Sequence, residues 1–285
     1  MPAVVAGAPD SEDNAVPDRL SALIEELVVA NRILGHEGVL DAFGHVSVRH
    51  PDDPGRYFLA RSRSPLLVEA SDILEYTLDS EPVTPPTARQ YSERVIHGCI
   101  YQARSDVMAV CHHHAAAVMP FCVAVKPIVP VFHFGGAIGE QTPFWDQHDE
   151  FGDTDLLVVK PEEGRSLARA LGPHAVVLMK RHGATVAGAG LREVVSRSIY
   201  LCQNAEYQLR ATMLGTPQPL HPGEIGPAGA MNLKPNVIER AWEFWSARLK
   251  ASGLWPARVG ARAPRRAKAA ARPARKSARG KARRR

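Results

Sequence analysis

Histidines 112, 113 and 114 stand consecutively in this chain, and a fourth closes the triplet Arg181-His182-Gly183. Neutral imidazole is the commonest metal ligand among side chains, so the first question is whether these rings can meet on one ion. The run ends the apolar stretch Val107 to Cys111, which is short, partly β-branched and preceded by a polar turn, and therefore reads as a buried strand. Side chains alternate along a strand, so His112 and His114 project from one face about 7 Å apart while His113 points to the other. From that spacing, two rings can each bring a nitrogen to about 2.0 to 2.1 Å from a common ion. A third ligand must come from elsewhere, and His182, ending a second apolar run from Ala175 to Met179, is placed to supply it. Histidines held as hydrogen-bonded core residues remain the alternative at this stage.

The segment upstream adds an acid. From Thr87 to Arg104 the spacing of Tyr91, Val95, Ile96, Cys99, Ile100 and Gln102 predicts a helix with an apolar side. Glu93, His97 and Tyr101 then fall at successive i, i+4 positions on one face. An ion held by three neutral histidines keeps open positions, so it can chelate substrate oxygens and act as a Lewis acid. Glu93 can exchange a proton at carbon or serve as a fourth ligand. The donor set suits one Zn, Mn, Fe or Co ion per subunit. His97 reads as a hydrogen-bond partner behind the site and Tyr101 as packing. His133 is expected on a strand running into a flexible turn, and His148 in a solvated loop.

Helix with Glu93-Arg94-Val95-Ile96-His97, turn with Arg104-Ser105-Asp106, strand with His112-His113-His114, and distant His182-Gly183: in this order the chain resembles the class II aldolase/adducin family, from about Leu20 to about Gly215. The resemblance implies an α/β fold, a three-layer α/β/α sandwich with a largely antiparallel central sheet, assembled as a homotetramer. It also implies that His112, His114 and His182 bind the metal and that Glu93 is catalytic. Sugar-phosphate members of the family cradle phosphate with Gly-Asn, with Thr-Gly or Ser-Gly, and with Ser-Ser before the catalytic Glu. The corresponding places here read Gly44-His45, Arg61-Ser62-Arg63-Ser64-Pro65 and Tyr91-Ser92. Arginine forks suit carboxylates and stack on rings. The pattern is similar to members that decarboxylate hydroxypyridine or dihydroxyphthalate carboxylates, with His45, Arg61, Ser62 and Arg63 recognising a small-molecule carboxylate. The expected activity is that of a metal-dependent carbon-carbon lyase, a carboxy-lyase working through a metal-chelated enolate or phenolate. A sugar-phosphate aldolase and a non-catalytic adducin-like scaffold are the alternatives.

The remaining elements must position these residues. Pro17-Asp18 opens a helix to about Leu34 that Gly35 closes, and Phe43 to Arg49 with Arg56 to Ala60 reads as a hairpin. Pro161 starts a helix ended by Gly172-Pro173, and another runs from Leu191 to Leu214. The Gly/Pro-rich stretch Leu220 to Pro235 reads as a linker to a Trp-bearing helix over Val237 to Lys250. At 285 residues and 45% hydrophobic, one domain over 18–251 can bury a full core. Residues 1–17 and 252–285 are expected to be disordered ends. The net charge of +5 comes from the tail: Arg258 to Arg285 holds 13 Lys or Arg and no acid, leaving 22 basic against 30 acidic residues, or −8, elsewhere. That tail reads as a solvated extension, with non-specific nucleic-acid contact through phosphates as the other reading. Four cysteines without Cys-x-x-Cys spacing, no secretory signal and no stretch of about 20 apolar residues point to a cytoplasmic protein with free thiols and no membrane span.

Overall fold

The computed structural model describes residues 19–257; the expected disordered N-terminus, 1–17, and the basic run 258–285 lie outside the described residues. Seven strands form one sheet: β1 (His45–Arg49), β2 (Arg56–Ala60), β3 (Ile73–Thr77), β4 (Ala109–His113), β5 (Phe144–Trp145), β6 (Val176–Met179) and β7 (Gly183–Gly188), in the order β3-β2-β1-β4-β7-β6-β5. Every pairing is antiparallel except β5 with β6. The helices are α1 (Arg19–His36), α2 (Val95–Ala103), α3 (Met119–Ala124), α4 (Gln147–Phe151), α5 (Pro161–Leu171), α6 (Leu191–Ala211), α7 (Pro222–Asn232) and α8 (Pro235–Ala251). The α/β/α sandwich with a largely antiparallel sheet is therefore the observed architecture.

Strand alternation divides the interior into two cores. Val46, Val48, Ala109, Cys111, Val176, Leu178, Ala184 and Val186 face one side, where α1, α6 and α8 bring Leu27, Leu34, Val194, Ile199, Trp245 and Leu249. Val110, Val177, Met179 and Ala187 face the other, against Ile96 and Ile100 of α2 and Leu167 and Leu171 of α5. The same parity sends His45, Ser47 and Arg49 of β1, with His112 of β4, toward the α2 side.

Several elements differ from expectation for local physical reasons. The helix expected over 87–104 is α2 alone, preceded by a 3-10 turn, Ser92–Arg94, in which Glu93 has φ −90° and ψ 19°. The Arg89 carbonyl accepts from the Ser62 amide, so the chain before Tyr91 is tied to the β2–β3 connection and not to a helical ladder. Gly35 does not end α1, which reaches His36 before Gly38 turns at φ +74°. A Cβ at Gly35 would lie 2.9 Å from the Leu66 side chain, so that glycine permits close packing.

The Gly/Pro-rich linker is instead helix α7. Pro222 occupies its first position, where a missing N–H costs nothing, and Glu224 accepts from the His221 amide at 2.9 Å. A Cβ at Gly229 would meet the Gly136 carbonyl at 2.6 Å, so α7 lies directly on the 3-10 helix His133–Ile138. His133 thus begins a 3-10 turn and not a strand, with its carbonyl accepting from Asn232, and its side chain is exposed. His148 lies exposed in α4 and not in a loop. At the C-terminal end, the Leu254 carbonyl accepts from Arg32 Nη1 at 2.7 Å, which ties Leu254 to α1. All four cysteines are free. Among the described residues no helix is long and apolar enough to cross a membrane.

Candidate metal centre

Three strands place one row of polar side chains on the α2 face of the sheet. His45 on β1 is opposite His112 on β4, which is opposite Thr185 on β7. His114 follows β4 by one residue and returns to the face of His112. His182 lies in the β6–β7 turn, where Arg181 takes φ +62° and the next residue is Gly183. A Cβ on Gly183 would come within 2.3 Å of the His113 carbonyl, which explains why glycine follows the histidine. Glu93, in the 3-10 turn before α2, completes the group.

One donor atom from each of Glu93, His112, His114 and His182 lies within 4.8 Å of all the others. His112 Nε2 is 3.1 Å from His114 Nε2 and 3.7 Å from Glu93 Oε2, and His182 Nε2 is 3.4 Å from Glu93 Oε1. Donors arranged tetrahedrally at about 2.1 Å from an ion are separated by about 3.4 Å, so these three spacings are close to what one shared ion requires. The rings of His114 and His182 are stacked 5.2 Å apart, and His112 meets both edge-on.

The protons strengthen the case. An ion on His112 Nε2 requires the ring proton on Nδ1, where Thr185 Oγ1 stands at 3.1 Å to accept it while its own hydroxyl has Met179 Sδ at 3.5 Å. Asp41 Oδ1 faces His114 Nδ1 at 3.7 Å and favours the proton there, which leaves a lone pair on His114 Nε2 as well. Two lone pairs and a carboxylate thus converge at distances that ask for a cation between them. Burial, followed by the imidazoles of His182, His45 and His114, holds His112 well below the usual histidine range, so it stays a neutral ligand. Glu93 is steadied from behind by the Val158 amide, which donates to Oε1 at 3.0 Å. Partners behind a ligand fix its ring orientation and its tautomer. Thr185→Val, which keeps the shape and removes the acceptor, should weaken Zn²⁺ affinity by about 10- to 100-fold in competition with a chromophoric chelator. Unchanged affinity would remove Thr185 from this account.

Beside the cluster opens a cleft of about 500 Å³ lined by His45, Ser62, Arg63, Tyr91, Ser92, Glu93 and His114, with Phe43 and Leu157 among its apolar walls. Three of the four expected carboxylate-recognition residues, His45, Ser62 and Arg63, therefore share it. Arg61 is not among the lining residues: its Nε donates to Asp72 Oδ1 at 2.6 Å, while Arg63 Nη1 donates to Asp72 Oδ2 at 2.6 Å. Thr185 and Asp41, which face the ring nitrogens behind the cluster, and the cleft residues Phe43 and Leu157 received no site role from the sequence, whereas Tyr91 entered as an aromatic replacement at a phosphate-cradling position. Strand parity alone could have found Thr185, since it is two residues past Gly183 and in the same row as His112. His113 faces the opposite core, with Nε2 buried and unpartnered.

Residues 25–209 match the family model described as the class II aldolase and adducin N-terminal domain. A decarboxylase, tropJ, of Talaromyces stipitatus is 32% identical over 245 residues, covering 78% of this chain and 92% of that protein. A 3,4-dihydroxyphthalate decarboxylase of Arthrobacter keyseri is 28% identical, covering 67% of this chain and 79% of its own. Among solved structures, an aldolase II superfamily protein from Pseudomonas syringae superposes with TM-score 0.70 at 20% identity, covering 85% of this chain and 97% of that one. At that identity the match speaks for the fold. With family model, fold and the order of its histidines in agreement, the chain belongs to the class II aldolase and adducin family.

Proposed function

We propose that this protein is a divalent-metal-dependent lyase that decarboxylates a hydroxylated aromatic or heteroaromatic carboxylate. The observation that carries the choice is the cleft beside the four-residue cluster, walled by the rings of Phe43, Tyr91 and His45 and by the Arg63 guanidinium. The decarboxylase names of the relatives support the same reaction class.

His112, His114 and His182, with Glu93, are the residues that would hold a Zn, Mn, Fe or Co ion. When bound there, a divalent ion supplies Lewis-acid stabilisation of negative charge developing on a substrate oxygen. Asp72 is shared by Arg61 and Arg63, so the trio retains one positive charge, and Arg63 brings it to the cleft edge. A substrate carboxylate takes that charge in the geometry guanidinium favours. Tyr91 is held by donating its hydroxyl to the Arg63 carbonyl, which fixes both walls together. Glu93, facing His112 and His182, carries the proton that takes the place of the departing carboxylate on carbon.

Cleavage of a sugar phosphate or related hydroxy-carbonyl compound is the second reading, favoured by the hydroxyls of Ser62, Ser64 and Ser92 in the same cleft. The two readings differ in product. Metal-loaded protein incubated with a panel of hydroxy-aromatic mono- and dicarboxylates and sugar phosphates should release CO₂ from the former. Aldehyde release from a sugar phosphate without CO₂ from any carboxylate would transfer the assignment to the aldolase.

A further inference from the structure

Behind the cleft, four polar side chains form a line through an otherwise apolar layer between the sheet and α2. His45 Nδ1 is 2.7 Å from His97 Nε2, His97 Nδ1 is 2.6 Å from Ser47 Oγ, and Ser47 Oγ is 2.8 Å from Tyr101 Oη. All four residues are at most 1% exposed. Strand and helix periods bring them together: His45 and Ser47 are i, i+2 on β1, while His97 and Tyr101 are i, i+4 on α2. The Tyr57 ring stacks on His97, and the Arg49 guanidinium lies 4.7 Å over the Tyr101 ring while binding four backbone carbonyls, so the line is clamped along its length.

Such a line can run in either direction, and its buried end decides which. Burial pushes the Tyr101 phenol well up, so it keeps its proton, and a buried O–H must donate to something. Ser47 Oγ, at 2.8 Å, is the acceptor within reach of the phenol, so the buried O–H donates to it and Ser47 takes the accepting role at this end of the line. The Ser47 hydroxyl is then free to donate only to His97 Nδ1. His97, whose ring burial pushes down to about 3, is a neutral imidazole and carries its single proton on Nε2. That proton is donated to His45 Nδ1. His45 is left with its own proton on Nε2, the nitrogen on the edge away from His97, in a ring that lines the cleft 5.3 Å from the ring of His112.

We propose that Tyr101, Ser47 and His97 are positioning residues that lock His45 in the Nε2–H tautomer, making it an obligatory hydrogen-bond donor to a substrate oxygen beside the metal cluster. The role of His45 toward substrate rests on the cleft assignment above; the direction of the chain does not. The consequence is specificity. A fixed donor accepts a carboxylate, carbonyl or phenolate oxygen and rejects a group that presents only a hydrogen, because an unpaired donor in a water-poor site is costly.

Neutron diffraction from deuterium-exchanged crystals of the full-length protein reads the tautomer without any ligand. Deuterium should appear on His45 Nε2 and His97 Nε2, with none on either Nδ1; deuterium on His45 Nδ1 overturns the proposal. In solution, Zn²⁺-loaded Ser47→Ala should bind salicylate about tenfold or more weakly at unchanged zinc content, and Ser47→Thr, which keeps the hydroxyl, should restore binding. Wild-type affinity in Ser47→Ala also overturns the proposal. Should wild-type protein show the Nε2–H tautomer yet bind no hydroxy-aromatic carboxylate, the substrate reading fails while the chain stands.

Discussion

Replacing His112 with alanine should lower divalent-metal affinity by more than about 100-fold and abolish turnover. Loss of a partner behind a ligand already costs about 10- to 100-fold, and loss of the ligand itself costs more. His112 is the cluster member with the least freedom. It is fully buried in β4, its Nδ1 stands 3.1 Å from Thr185 Oγ1, and its Nε2 lies 3.1 Å from His114 Nε2 and 3.7 Å from Glu93 Oε2. The neighbouring residue provides the internal control. His113 points into the opposite core, away from the four donors, so His113→Gln should alter stability but leave one ion per folded chain. Metal analysis of the folded fraction of both variants checks the contrast. Equal metal loss in the two would mean that strand parity does not govern the site.

Glu93→Gln should lower kcat by about 10²- to 10⁴-fold while leaving the fold intact. The substitution preserves shape, and its side-chain carbonyl can still accept from the Val158 amide that holds Oε1 at 3.0 Å. What it removes is the charge facing His112 and His182 and the capacity to carry a proton. Metal content should fall less than in His112→Ala, because three imidazoles remain. Steady-state kinetics at saturating metal, with metal content measured on the same sample, separates the two effects. A kcat within a few-fold of wild type would remove Glu93 from proton transfer.

The metal-centre residues were legible in the sequence because their grouping follows from period and order. Two residues on one strand face, a histidine after an apolar run and before a glycine, and an acid on the helix expected over 87–104 are visible as spacing, and the resemblance to the family joins them in one site. The α/β/α layering was legible for the same reason, since the hydrophobic runs have strand and helix lengths. What the sequence concealed depends on contacts between distant segments. Glu93 belongs to a 3-10 turn because Ser62 captures the Arg89 carbonyl 27 positions away from it in the chain. Helix α7 looked like a linker because its glycines serve close packing on Gly136, a use that composition cannot distinguish from flexibility. Arg61 looked equivalent to Arg63, and both pair with Asp72, one on each carboxylate oxygen, yet Arg63 alone of the two lines the cleft. The line from Tyr101 to His45 was half visible: the i, i+4 spacing placed His97 with Tyr101, but its link to His45 and Ser47 needs the pairing of β1 against α2.

The central claim is that four side chains from four separate segments meet on one divalent ion. Anomalous diffraction from crystals grown with Mn²⁺ or Zn²⁺, recorded on both sides of the absorption edge, tests it directly. One peak per chain is expected, about 2.0 to 2.2 Å from a nitrogen of each of His112, His114 and His182 and from a Glu93 oxygen. No peak at that position in metal-saturated crystals, or a peak held by other residues, would contradict the account.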